Sequence, residues 1–258
     1  MERGVRRMEG KRRRRKSTNA AIYIPIAALL VIFLMVYGTS AFLKIIEIEV
    51  AGSTRYTGAE IIAAAGIARG ENMLLVDTID AQRRIYTELP FISEVKITRT
   101  MPDTIRIDVR ESAPLASVAH RGAVAVLDYK GKVLRIAEAE QPGLIEVRGF
   151  RPADATAGSL LKAGEDDDSK LKYLIGILTA IDSAGLRDGI TYIDIDNIAF
   201  ISLDFNGRKV LLGGAEDDMK GKLEELPERI AEVEEISPDD KAGIFNMSRR
   251  PWRWEPER

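Results

Sequence analysis

Apolar and polar positions change period several times along this 258-residue chain, and each change marks an element. From Ser17 to Leu43 no side chain is ionisable except two tyrosines. As a helix these 27 residues would extend about 40 Å at 1.5 Å per residue, enough to cross a hydrocarbon core of about 30 Å. Pro25 falls in the first turns, where a bilayer helix tolerates it. The period then becomes two: Ile46-Glu47-Ile48-Glu49-Val50 alternates as a half-buried strand and ends at Gly52-Ser53. Thr57-Gly58-Ala59-Glu60 has capping-box spacing, Ile61, Ile62, Ala64 and Ala65 follow, and Gly66 predicts the helix stop. A second helix is predicted to open near Thr78, to carry Ala81, Ile85 and Leu89 at four-residue spacing, and to end at Pro90. Val95–Arg99 and Ile105–Arg110 alternate on either side of the turn Thr100-Met101-Pro102-Asp103, an antiparallel hairpin. The order strand, helix, helix, strand, strand describes a compact α+β module of about 70 residues with its helices on one face of the sheet.

Beyond Pro114 short strands are predicted at Leu115–Ala119, Ala123–Leu127 and Lys132–Ile136, the last two joined by Asp128-Tyr129-Lys130-Gly131. Gly164-Glu165-Asp166-Asp167-Asp168 reads as an acidic loop leading into a helix with Leu171, Leu174, Ile175, Leu178 and Ile181 on one face and Gly185 as its stop. Tyr192–Asp196, Ala199–Phe205 and Arg208–Leu212 read as strands. Glu216-Asp217-Asp218 then starts a helix with Met219, Leu223, Leu226, Ile230 and Val233 inward and a bend at Pro227.

Charge changes the picture at one end. Nine of the 38 Lys+Arg residues and two of the 40 Asp+Glu residues lie in the first 16 positions, leaving 29 cations against 38 anions in the rest. The run Arg12, Arg13, Arg14, Arg15 and Lys16 beside a long apolar segment sets topology, with the amino terminus cytoplasmic and the acidic bulk outside. Basic runs also bind nucleic acid or anionic lipid, but an acidic exported part does not seek nucleic acid. A cleaved secretory signal shares the basic start, and Thr39-Ser40-Ala41 passes for a cleavage site. A signal's apolar core, however, runs about 7–15 residues and this one is longer, so a retained anchor is expected.

In order, "VAGSTRYTGAEIIAAAGIARGENMLLVD", "LPFISEVKITRTMPDTIRIDVRESAPLA" and "VLDYKGKVL", placed directly after one amino-terminal span, resemble the FtsQ/DivIB family of bacterial cell-division proteins. The resemblance runs from the basic tail to about Ser248 and is strongest between Ile46 and Ala116. It implies a basic cytoplasmic tail (1–19), one transmembrane helix (20–43), a POTRA domain (44–112), a β domain of mostly antiparallel sheet with packed helices (113–248) and a tail (249–258). "RKVLLGGAEDDMKGKLEEL" looks like the family's strand, glycine turn and helix, and "AGIFNMS" like its terminal strand, with Asn246 where many relatives have an acidic residue.

The sequence assembles no reaction. His120 is the only histidine, which removes two-His metal sites, and its strand-to-turn position reads as an ordinary surface residue. Without cysteine there is no disulfide framework, thiolate metal site or Cys nucleophile, and an exported domain lacking disulfides fits a bacterial exterior. Asp166-Asp167-Asp168 lacks the alternating ligands and turn glycine of a calcium loop, and no phosphate-cradling Gly-rich motif precedes Lys-Ser/Thr. The exported carboxylates keep a glycoside-hydrolysing pair open.

The expectation is therefore a binding protein with no catalytic residues, no cofactor, no metal and no small-molecule substrate. The resemblance implies capture of FtsL-type and DivIC/FtsB-type division proteins at the septum, by addition of a strand to an open sheet edge. The expected surface is Ile244, Phe245, Asn246, Met247 and Ser248 with the tail residues Arg249, Arg250, Trp252 and Trp254, residue types enriched at interface hot spots. Two rival readings are a POTRA-bearing secretion or assembly component, which usually has POTRA repeats or a barrel, and a membrane-anchored cell-wall hydrolase.

Overall fold

The computed structural model describes residues 20–139, 141–164, 167–214, 218–236 and 243–255, with side-chain surroundings left out at 20–22 and 35–42. The expected topological cations Arg12 to Lys16 thus lie outside the described residues, as do Glu165, Asp166, Glu216, Asp217 and Ala242. Helix α1 (Ala20–Phe42) takes up most of the uncharged run, and Tyr23, Ile24, Leu29 and Phe33 along it are exposed. Its described side chains, 23–34, cover only about 18 Å of helix, and among the described residues no helix is long and apolar enough to cross a membrane.

The proximal domain begins one residue after α1. It contains β1 (Glu47–Ala51), α2 (Gly58–Ala65), α3 (Thr78–Glu88), β2 (Ile92–Thr100) and β3 (Thr104–Glu111). β3 is central, parallel to β1 and antiparallel to β2. The capping box at α2 is formed: Thr57 Oγ1 accepts from the Glu60 amide at 3.3 Å, and Glu60 Oε2 accepts from the Thr57 amide at 2.8 Å. Gly66 closes α2 in the left-handed region, where a Cβ would lie 2.4 Å from the Arg84 guanidinium. Asp77 caps α3 by accepting from the Ile79 and Asp80 amides. Ile61, Ala64, Ala81 and Ile85 of the helices bury Ile97, Ile105, Ile107 and Val109 of the sheet. At the end of β3, Glu111 gathers the β1–α2 turn, accepting from Ser53 Oγ at 2.7 Å, from Thr54 Oγ1 at 2.9 Å and from the amides of Thr54 and Arg55 at 2.7 Å. The hydroxyl of Ser53 and these amides hold its carboxyl down at about 2.

The distal domain is a nine-stranded sheet in the order β12-β11-β10-β9-β8-β7-β4-β5-β6. Its strands are β4 (Ala116–His120), β5 (Ala123–Leu127), β6 (Val133–Ala137), β7 (Ile145–Arg148), β8 (Ile190–Asp194), β9 (Ile201–Phe205), β10 (Arg208–Gly213), β11 (Ile244–Asn246) and β12 (Arg253–Glu255). Pairing is antiparallel except at β4–β7, β7–β8 and β10–β11. α4 (Asp168–Ala184) and α5 (Met219–Ile236) pack against each other, and Leu174, Ile177, Leu178 and Ile181 share one core with Leu223, Leu226, Ile230 and Val233. Asp168 is the first residue of α4 and Pro227 lies within α5.

A buried lysine joins the two domains. Lys132 is fully buried in the distal domain, yet its ammonium donates to the Tyr86 carbonyl at 2.5 Å and the Ile92 carbonyl at 2.7 Å of the proximal one, over the Tyr86 ring. Burial lowers its pKa to about 8, against the pull of Asp128. Asp128 in turn accepts from Ser112 Oγ at 2.8 Å and from the amides of Lys130 and Lys132. Gly158 completes the joint, because a Cβ there would lie 1.9 Å from the Thr87 carbonyl oxygen.

Candidate functional site

The far margin of the distal sheet is built by the last described residues of the chain. β10 sets its base with alternating Arg208, Val210 and Leu212 buried. β11 lies beside it in parallel, Phe245 level with Val210, and the Met247 amide extends the ladder to the Leu211 carbonyl at 2.8 Å. Ser248 then turns the chain, donating from its amide at 3.0 Å and its hydroxyl at 2.6 Å to Asn246 Oδ1. The chain returns as β12, antiparallel to β11, with Ile244 opposite Glu255, Phe245 opposite Trp254 and Asn246 opposite Arg253.

This corrects one expectation. Ile244–Ser248 was read as an open sheet edge, but β11 is paired along both sides, and the outermost strand is β12, in residues read only as a tail. The physical reason is local. The sequence Trp-Arg-Trp-Glu alternates aromatic and charged residues with the period of a strand, and Asn246 holds the reversal while donating from Nδ2 to Glu255 Oε1 at 3.0 Å. That alternation was the signal available in the sequence.

Trp252 and Trp254 are half-buried and pack on the distal core. The Arg208 guanidinium, fully buried, lies under the Trp254 ring at 5.1 Å and faces Glu234 at 3.8 Å. Arg250 stacks over Trp252 at 4.7 Å and donates to Glu225 at 3.1 Å, while Arg249 is exposed. Between this tail and α5 lies a groove of about 710 Å³ lined by Glu225, Arg229, Val233, Phe245, Trp252 and Trp254. It offers aromatic surface bordered by both signs of charge, the composition of a protein-binding surface.

The other sheet margin is less available. Beside β6 the segment 158–161 donates from the Gly158 amide to Val133 O at 2.8 Å and accepts from the Val133 amide at Ser159 O at 2.9 Å. At the opposite end of the sheet order the outermost strand is β12.

His120 ends β4, its Nδ1 3.2 Å from the Pro152 carbonyl, at the rim of a polar cleft of about 880 Å³. Three of the four Lys and Arg side chains there are engaged: Arg148 with Glu146 at 2.5 Å and the Tyr192 ring, Lys170 with the Gly149 carbonyl at 3.0 Å, and Arg121 with the Ala153 carbonyl at 3.1 Å. Among the described residues no three His, Asp or Glu side chains converge as metal ligands.

Residues 43–112, the proximal domain, match the family described as POTRA domain, FtsQ-type. The cell division protein FtsQ of Corynebacterium glutamicum is 27% identical over 207 residues, 78% of this chain and 86% of that protein. The cell division protein DivIB of Clostridium botulinum is 26% identical over 214 residues, 83% and 81% of the two chains. The FtsQ-type POTRA domain and the FtsQ and DivIB relatives aligned over most of the chain support the FtsQ/DivIB family of cell-division proteins. The FtsQ of Streptomyces bingchenggensis is 34% identical over a shorter stretch of 97 residues, 38% of this chain and 36% of that protein. The first two alignments are too long to fit within the POTRA domain, so the FtsQ/DivIB likeness extends into the distal sheet that carries the margin.

Proposed function

We propose that this FtsQ/DivIB chain is a non-catalytic scaffold of the bacterial divisome, anchored by one helix over residues 20–43 with its amino terminus cytoplasmic and its two domains outside. The anchor reading is supported by the uncharged run, by the exposure of Ile24, Leu29 and Phe33, and by the nine cations ahead of the helix. A tether confines the domains to the membrane surface and raises their effective concentration toward partners anchored in the same plane. Septal membrane proteins of the FtsL and DivIC/FtsB type are the partners the family suggests.

The observation that carries the scaffold reading is the aromatic groove lined by Phe245, Trp252 and Trp254, which lies beside β12, the outermost strand in the sheet order. A partner segment in extended conformation adds a strand to Arg253–Glu255 and sets a side chain in the groove. The test is capture of full-length FtsL-type and DivIC-type proteins by the full chain in detergent, compared with a chain shortened to residue 251. Loss of capture is expected. Stronger capture by the shortened chain would move the site to β11, and unchanged capture would remove the margin from the function.

A further inference from the structure

The loop between α2 and α3 is ordered yet presents large apolar side chains outward. Met73 is fully buried, and its carbonyl accepts from Arg99 Nε at 2.9 Å, while Arg99 Nη2 donates to the Val76 carbonyl at 2.7 Å. Asn72 folds the turn between them, accepting from the Leu74 amide at Oδ1 (2.9 Å) and from the Leu75 amide at its carbonyl (3.0 Å). In this clamp Leu74 is 55% and Leu75 81% exposed. Ile46 and Met101, likewise exposed, lie nearby in the chain's pairing. The Ile46 amide donates to Asp103 O at 2.8 Å, so the β2–β3 turn meets the same entering segment as the loop. Exposed apolar residues on a braced loop mark a contact surface.

Chain connectivity says what that surface meets. α1 ends at Phe42, and Leu43 O already accepts from the Met73 amide at 2.8 Å, followed by Lys44 paired with Asn72 and the Ile45 amide on Glu71 O at 2.9 Å. Consecutive Cα atoms are about 3.8 Å apart, so the loop has no slack to leave the plane where the helix emerges. The opposite end of the domain faces away: β3 runs eight residues, about 25 Å, from the Met101 turn to the joint with the distal domain. In the segments that carry the patch, Lys44, Arg69 and Arg99 are equalled in number by Glu71, Asp77 and Asp103, which leaves apolar burial rather than net charge as the attraction.

We propose that Leu74, Leu75, Ile46 and Met101 form a foot that inserts into the headgroup–acyl boundary of the bilayer and fixes the tilt of the POTRA domain on the membrane. The proposal rests on the anchor reading of α1. Interfacial elements of this kind bury their apolar residues about 5–10 Å into that boundary.

Because the chain has no cysteine, single cysteines can be spin-labelled in the full-length protein in phosphatidylcholine nanodiscs. Three positions are compared by collision with oxygen and with a nickel chelate: Leu75→Cys in the foot, Leu29→Cys in α1, and Asp188→Cys, exposed in the distal domain. The expected result is an oxygen-to-nickel ratio at position 75 severalfold above that at 188 and below that at 29. A value at 75 equal to that at 188, with 29 deep, would overturn the foot and leave the anchor standing. An aqueous reading at 29 would overturn the anchor itself. A Met101→Cys label should lose its lipid signature when Leu74 and Leu75 are both replaced by Asp, exposed positions that carry no core packing. Retention of the signature in that variant, or insertion that occurs only in phosphatidylglycerol discs, would overturn apolar insertion as the cause.

Discussion

The two domains hold their ends in opposite ways. In the POTRA domain a single carboxylate, Glu111, accepts four hydrogen bonds from Ser53, Thr54 and Arg55, and both helices are closed by side-chain caps. At the far margin of the distal sheet the last strand has three residues, and the side-chain hydrogen bond tying it across to β11 is Asn246 to Glu255. The first arrangement is rigid and charge-assisted, and the second is held by aromatic packing. The proposed scaffold would use this difference, with a fixed base at one end and, at the other, a margin of modest local free energy where a partner could compete.

The comparison breaks most severely at the joint. Lys132→Ala removes the donor that Tyr86 and Ile92 carbonyls share and opens a gap beneath the Tyr86 ring. A loss of about 3 kcal/mol is expected, as urea unfolding of the detergent-solubilised chain by circular dichroism would measure. The native pKa, about 8, lies below the unfolded value, so the unfolded state binds more protons between them. The lysine's contribution to stability therefore rises with pH from about 8 to about 10.5, and the deficit of the variant should widen over that window. A deficit independent of pH would mean that the ammonium is not desolvated.

Glu111→Gln sharpens the contrast from the proximal side. A neutral amide keeps one acceptor and brings an NH₂ against donors, for an expected cost of about 2 kcal/mol at pH 7. Because the native pKa of about 2 lies below the usual carboxylate value, this stabilisation is complete above about 4.5 and is lost as pH falls toward 2. Hydrogen exchange at the Thr54 and Arg55 amides should be faster in the variant at neutral pH and converge with the parent in acid.

What could be read in the sequence follows the same division. Thr57, Glu60, Gly66 and the alternation of Ile105, Ile107 and Val109 are signals whose partners lie within a few residues, and the proximal elements are found where they predict. β7 was not anticipated because Ile145–Arg148 is four residues long and is stabilised by parallel neighbours, β4 and β8, that arrive from distant parts of the chain. Lys132 looked like an ordinary strand residue, since the carbonyls that justify burying its charge belong to another domain. The residues expected as a partner surface lie together at one sheet margin, but in a geometry the sequence did not suggest. Trp252 and Trp254 sit at the expected margin, yet they pack on their own sheet, and the outermost strand is β12 rather than β11.

The smallest effect is also the most local. Asn246→Asp keeps the oxygen that accepts from Ser248 and replaces the donor facing Glu255 by a second carboxylate, so only the β11–β12 tie changes sign. At neutral pH two like charges about 3 Å apart should weaken β12 by about 1 kcal/mol, less in high salt because Glu255 is exposed. The chain's two tryptophans are both in this tail, so their emission reports on it directly. The variant should show red-shifted emission and easier acrylamide quenching in low salt, both reverting as ionic strength rises from about 0.05 M to about 1 M and screens the pair. If emission stays unchanged across that range, aromatic packing alone holds β12, and a partner must work around the strand rather than compete with it.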